Sequence, residues 1–444
     1  MRAACVAGAP VASPPMALPL DLDAAPLAHA LTVAVAAATV FLASGCGCLM
    51  DALAGASSGE PEDADRVLSA EAKALVARAY ADVDPSKLLD YHAHVVGLGE
   101  DGSGCYVNPH MLTWAHPKDR LKFLAYRSAG RIEDEAHAES EYLARLLRLA
   151  RGHRGRLVAL AFDAHYSEDG RVVAEKTEFH VPNDYAMKIA AEHPDLLVAA
   201  CSIHPYRGDA VLELERCAAR GVRIVKWLPN AMGIDPASPR CHAFYDRMRE
   251  LDMVLLSHGG EEKAVDAEED QKLGNPLRLR AALERGVKVI VAHCAGLGTD
   301  EDLDDPARPR LPSWDLFFRM MDDPRWRGLL FGDISAATQA NRTPEPLATI
   351  LRRGDLHARL VNGSDYPLPS VNVVISTRKF VSLGMITAGE RAALNEIYDV
   401  NPLLFDYVLK RTLRVRDPDG TEHRLAASVF EEHPDLAPVS STAR

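Results

Sequence analysis

Eight short aliphatic runs, each followed by a polar or glycine-containing turn and then a longer amphipathic stretch, predict an α/β chain folded as a (β/α)8 TIM barrel. The runs are 88–95, 156–162, 196–203, 222–228, 253–257, 287–292, 328–334 and 359–363. Helical patterns lie between them, for example 141–150, 210–220, 242–251, 276–285 and 346–353. Strands alternating with helices eight times call for parallel pairing with crossover helices, and a doubly wound open sheet is the competing topology.

The chain divides into four parts. Residues 1–50 are nearly uncharged towards their end, with an apolar heart from Leu31 to Ala43 followed by Ser44-Gly45-Cys46. The segment Leu42 to Cys46 resembles a bacterial lipoprotein signal. That predicts membrane association, as an exported lipoprotein or through a span from Leu27 to Met50; the alternative is an Ala-rich extension of a cytoplasmic protein. Against a signal, only Arg2 is basic while Asp21 and Asp23 are acidic. Residues 51–86 read as a Gly/Ser/acid linker and a helix capped by Asp63 or Asp65, running to about Val83 and ended by Asp84-Pro85. The barrel is expected over 87–410, and a hairpin with the turn Asp417-Pro418-Asp419-Gly420, then a tail, over 411–444.

Composition narrows the partners. The 444 residues carry 50 Lys plus Arg against 63 Asp plus Glu, a net charge of −13, which disfavours nucleic acid and points to a small-molecule substrate. The eight cysteines show neither a paired zinc pattern nor a disulfide framework. Homo-oligomerisation is open.

The first run, Leu88-Leu89-Asp90-Tyr91-His92-Ala93-His94, carries two histidines on alternate positions, so both imidazoles face one way. Two neutral imidazoles converging on one point form a metal-ligand arrangement. Lys226 lies in the fourth run, His258 follows the fifth, His293 the sixth and Asp365 the eighth. Lys226, His258 and His293 are separated by 32 and 35 residues, about one βα unit each, so a barrel would bring them to one mouth. Singly each has a structural reading: a hydrogen-bonded core histidine, a salt-bridged lysine, a loop N-cap. Together they point to a divalent metal.

At these motifs the chain resembles the amidohydrolase superfamily, in its amidohydrolase-related branch. The matching stretches are Asp90-Tyr91-His92-Ala93-His94, Val225-Lys226-Trp227, Leu256-Ser257-His258-Gly259-Gly260-Glu261, Val291-Ala292-His293-Cys294 and Asn362-Gly363-Ser364-Asp365-Tyr366-Pro367. The resemblance implies that His92, His94 and Asp365 hold one divalent ion, that His258 and His293 hold a second, and that an N6-carboxylated Lys226 bridges them. It implies a hydrolase in which metal-activated hydroxide attacks an amide, lactone or ester and Asp365 accepts the proton. Zinc is the expected ion, one or two per site, though imidazole and carboxylate also accept manganese or iron. The alternative is a mononuclear decarboxylase of a small carboxylic acid, with Lys226 uncarboxylated and His293 in acid–base work. A barrel that binds without catalysis is a third reading, which the intact donor set argues against.

Further strand-end residues are candidate substrate contacts: His165, His204, Arg207, Asn230 and Asp333. Glu261 either stands behind the metal ligands or is a solvated loop charge. Gly97-Leu98-Gly99-Glu100-Asp101-Gly102 fits a dinucleotide fingerprint, but Glu100 and Asp101 would repel pyrophosphate, and no helix opens after it. The long connections after the first run and after the sixth, the latter including Thr299 to Pro312, are expected to supply lids or specificity loops.

Overall fold

In the computed structural model, which describes residues 59–436, eight parallel strands fall where the aliphatic runs lie. They are β1 (Leu89–His94), β2 (Arg156–Leu160), β3 (Leu197–Ala200), β4 (Ile224–Trp227), β5 (Val254–His258), β6 (Lys288–Ala292), β7 (Leu330–Asp333) and β8 (Leu360–Val361). Ladders join β1–β2–β3 and β4–β5–β6–β7–β8. Parallel bridges Cys201↔Val225 and Ala93↔Tyr366 join these two sheets, closing the ring as a barrel and excluding the open sheet.

Alternation along the strands sorts side chains into two cores. Leu89, Tyr91, Val158, Leu160, Ile224, Val254, Leu256, Ile290, Phe331 and Val361 fill the barrel interior as one buried cluster. Val225, Trp227, Leu255, Val289 and Val291 pack outward beneath the helices. The next inward positions towards the C-terminal rim are Lys226 on β4, His258 on β5 and Asp333 on β7, so the period of two delivers polar groups to the mouth above an apolar plug. β1 departs from strict alternation: a register shift between Asp90 and Ala93 separates Leu89 and Tyr91, which fill the interior, from the two histidines above them.

One expectation changes. The helix expected from Asp63 to Val83 is broken, because Leu68 is extended and Ser69 caps a new helix, Ala70–Ala79, accepting a bond from Ala72 N. The glycine-rich loop after β1 wraps an internal anion: Gly99 N, Glu100 N and Ser103 Oγ all donate to Glu139 Oε1, at 2.7, 3.0 and 2.6 Å. Its donors are therefore committed to the chain itself. The C-terminal hairpin is present, with Val415–Arg416 antiparallel to Glu422–His423. Residues 1–58, which include the signal-like segment, lie outside the described residues, and no helix among the described residues is long and apolar enough to cross a membrane.

The expected lid segments take definite forms. The first connection carries the helix Pro117–Ala129, whose Tyr126 hydroxyl donates to Ala264 O at 2.8 Å in the connection after β5. Lys122 and Asp266 N both reach the Glu178 carboxylate, so loops after β1, β2 and β5 are laced together at the rim. The connection after β6 folds as a short hairpin, Thr299–Glu301 against Arg310–Pro312.

Candidate metal centre

The structure brings the six metal-ligand candidates into one chain of contacts at the C-terminal end of the barrel. The His92 and His94 ring centres are 5.1 Å apart, His92 and His293 5.0 Å, and His258 and His293 5.1 Å. Asp365 Oδ1 lies 3.3 Å from His94 Nε2 and 3.5 Å from His92 Nε2, and Lys226 Nζ lies 3.1 Å from His92 Nε2. All but His94 are buried; a quarter of the His94 side chain is exposed.

Burial sets the protonation states. His92 is pushed down to about 4 by loss of hydration, with Lys226 adding to the shift, and burial also lowers His258 and drives His293 well below its ordinary value. These three imidazoles are therefore neutral at pH 7, with lone pairs available to a cation. Burial likewise pushes the Lys226 ammonium down to about 8, against the pull of Asp333 and Asp365. Burial alone would raise Asp365, but the neighbouring His293, the hydrogen bond from His94, and His92 hold it well below the usual carboxylate range.

The donor set fits a divalent ion. His92, His94 and Asp365 can each aim one ligand atom so that the three lie within 4.8 Å of one another. His92, His293 and Asp333 form a second such group, but Asp333 is already committed. Its Oδ2 accepts from His92 Nδ1 at 2.9 Å, and its Oδ1 accepts from His293 N and Ser335 N, each at 2.9 Å, and from the Ser335 hydroxyl. Asp333 thus fixes the His92 tautomer with Nε2 turned to the cluster, which is how an outer carboxylate orients a metal-binding imidazole. His293 Nδ1 is similarly held, 2.8 Å from Ser335 Oγ. His258 is the orphan: neither ring nitrogen makes a hydrogen bond, although the residue is only 3% exposed. A buried imidazole without hydrogen-bond partners suits a metal ligand.

Several assignments shift. Asp333, expected as a substrate contact, orients His92 instead. The carboxylate standing behind His258 belongs to Glu262, not Glu261: Glu262 is buried with Oε2 3.3 Å from His258 Nδ1, whereas Glu261 is part-exposed and pairs with Lys263 at 3.3 Å. The left-handed turn at Gly260 (φ +85°) redirects the chain after β5 and decides which of the two points inward.

The four other substrate candidates have partners elsewhere. Arg207 pairs with Asp163 at 3.0 Å and Asp209 at 2.8 Å, beside a separate polar cavity of about 450 Å³. His204 Nε2 lies 2.9 Å from Met232 O and His165 Nδ1 2.9 Å from Ala231 O. Asn230 Nδ2 donates to Gly260 O and Gln271 Oε1, both at 3.1 Å, leaving its Oδ1 without a partner.

An eight-stranded parallel barrel with a histidine–carboxylate cluster at its C-terminal mouth defines the class of metal-dependent TIM-barrel enzymes. The chain belongs to the amidohydrolase family, whose model matches residues 89–379. No curated protein matches it significantly. Among solved structures it is similar to an uncharacterized TIM-barrel protein from Bordetella bronchiseptica, with 14% identity over 68% of this chain and 94% of that one and a TM-score of 0.44. It is also similar to a putative 2-pyrone-4,6-dicarboxylic acid hydrolase from Pseudomonas putida (16% identity, 72% and 98% coverage, TM-score 0.38). A third is 5-carboxyvanillate decarboxylase from Sphingomonas paucimobilis (10% identity, 74% and 97% coverage, TM-score 0.38).

Proposed function

We propose that this amidohydrolase-family enzyme hydrolyses an amide, lactone or ester of a small molecule. The observation that carries the reading is Lys226: a fully buried amine, 3.1 Å from a candidate ligand nitrogen and pushed down to about 8. A neutral amine there can take up carbon dioxide, and the resulting carbamate is an anionic oxygen donor between the two histidine pairs. In this reading His92, His94 and Asp365 hold one ion and His258 and His293 a second. Divalent ions bound there would lower the pKa of a coordinated water and polarise the bond under attack. Asp365, ionised in the resting site, would accept a proton from the attacking water. Asp333 and Ser335 keep His92 and His293 in register throughout.

A second reading is a decarboxylase using one ion. The compact His92, His94 and Asp365 group supports it, with His293, held by Ser335, as the acid–base residue and Lys226 remaining an amine. The expected association of residues 1–50 with a membrane belongs to the same proposal and rests on the apolar run Leu31 to Ala43 and the Leu42 to Cys46 segment. The deciding experiment is metal content per chain with bicarbonate present, in wild type and Lys226→Ala. Two ions falling to one or none in the variant supports the bridged hydrolase. One ion in both sinks the bridge and leaves the decarboxylase.

A further inference from the structure

Among the described residues, Arg342 is a buried cation beside the metal cluster that neither proposed reaction uses. It sits in the connection after β7, is 7% exposed, and its Nε and Nη1 are buried without any hydrogen-bond partner. Its backbone is anchored on both sides: Arg342 N donates to Gln339 O at 3.2 Å, and Lys379 Nζ donates to Arg342 O at 2.5 Å. The guanidinium lies against Gly296, where an added Cβ would come within 3.0 Å of Nη1. Glycine therefore leaves the room that this side chain occupies, four residues from where β6 ends.

The carboxylates whose field reaches Arg342 are Asp365, Glu262 and Asp333, yet none forms an ion pair with it. Each is committed elsewhere. Asp333 has both oxygens filled, Asp365 faces His92 and His94, and Glu262 accepts from Ala264 N and Val265 N while standing beside His258. Two guanidinium nitrogens removed from water with no acceptor are strongly unfavourable, so their acceptor is expected from a bound molecule. Its planar fork matches a carboxylate. A single cation, already in the field of Asp365, Glu262 and Asp333, balances a monoanion better than a phosphate dianion.

We propose that Arg342 grips a carboxylate of the substrate, so that the enzyme acts on small carboxylic acids and Arg342 sets the selection of acid over neutral analogue. The proposal rests on the catalytic reading of the metal cluster for the identity of the site. It names the substrate group that lies beside the reacting bond, or, for the decarboxylase reading, a carboxylate other than the one lost.

The test is calorimetric titration of metal-loaded full-length protein with acetate, benzoate and glutarate, their amides, and inorganic phosphate, with metal content read on the same samples. Wild type is expected to bind at least one acid tenfold or more tighter than its amide. Arg342→Gln is expected to erase that preference with metal content unchanged, and Arg342→Lys, which keeps charge without the fork, to restore part of it. The proposal is overturned if wild type shows no preference for acids, if phosphate binds tighter than every carboxylate, or if Arg342→Gln keeps the preference. Should the Gln variant not fold, Arg342→Lys decides: a threefold or greater weakening of acid binding supports the assignment and unchanged binding overturns it. Wild type without metal refutes the catalytic reading separately, while the acid-over-amide comparison still judges Arg342.

Discussion

Asp333→Asn removes one charge and almost no volume, so its effect comes through hydrogen bonding and charge rather than packing. Asp333 accepts on both sides: His92 Nδ1 at Oδ2, and His293 N, Ser335 N and the Ser335 hydroxyl at Oδ1. An amide can accept on one side only. With its nitrogen towards the two backbone N–H groups it would strand two buried donors, at about 1–3 kcal/mol each. Turned the other way, it presents a donor to His92 Nδ1, and the imidazole must move its proton to Nε2, the nitrogen aimed at Lys226 and Asp365. The second arrangement carries the smaller penalty. The variant should therefore fold, with a loss of about 1–3 kcal/mol, and bind metal about 10–100-fold more weakly. Chelator-competition titration with zinc and manganese measures the affinity, and urea unfolding measures the stability. A folded Asp333→Asn protein with wild-type metal affinity would refute the claim that this carboxylate sets the His92 tautomer.

Two further predictions lie outside the metal centre. His153, buried and lowered to about 4 by burial with Lys410 adding, must stay neutral in the fold, so its contribution to stability is present above pH 6.5 and lost as pH falls towards 4. Urea unfolding at pH 7 and 4.5 should show wild type losing about 2 kcal/mol relative to His153→Gln over that window, and parallel profiles would contradict the assignment. Lys410 donates to Asp406 Oδ2 and Gly363 O, both at 2.6 Å, in a buried pair; Lys410→Met should lose about 3–5 kcal/mol by stranding the carboxylate, and adding Asp406→Leu should recover most of it in thermal unfolding.

The barrel was legible because its signal is periodic: eight aliphatic runs recur, and strand alternation then places His258 and Lys226 inward without further information. What was not legible depends on single turns and on contacts distant in sequence. The register shift in β1 has no residue signature, since Asp90 and Ala93 are ordinary strand residues. The exchange of Glu261 for Glu262 follows from the direction the chain takes at Gly260, and two adjacent glutamates give no clue to it. Asp333 could be recognised as a strand-end acid. Its role could not, because the partner His92 is 241 residues away. Arg342 sits in a connection without periodicity, and only burial without a partner marks it.

The backbone beneath the candidate ligands is itself strained. His293, Cys294 and Ala295 are successive left-handed residues, with φ of +58°, +49° and +50°, and Asp365 is left-handed at +61°. None is glycine, so each carries an unfavourable conformation that its surroundings must hold in place. Asp333 Oδ1 accepts from His293 N, where that run begins, and His92 O accepts from Asp365 N at 2.7 Å. The groups that orient the candidate ligands therefore also fix the backbone from which those ligands project. This coupling explains why the buried carboxylate Asp333 stands at the end of β7, where an apolar residue would fill the barrel equally well. Its oxygens are met by His92 Nδ1 and by two backbone donors, and removing it would loosen the imidazoles and the strained turn at β6 together.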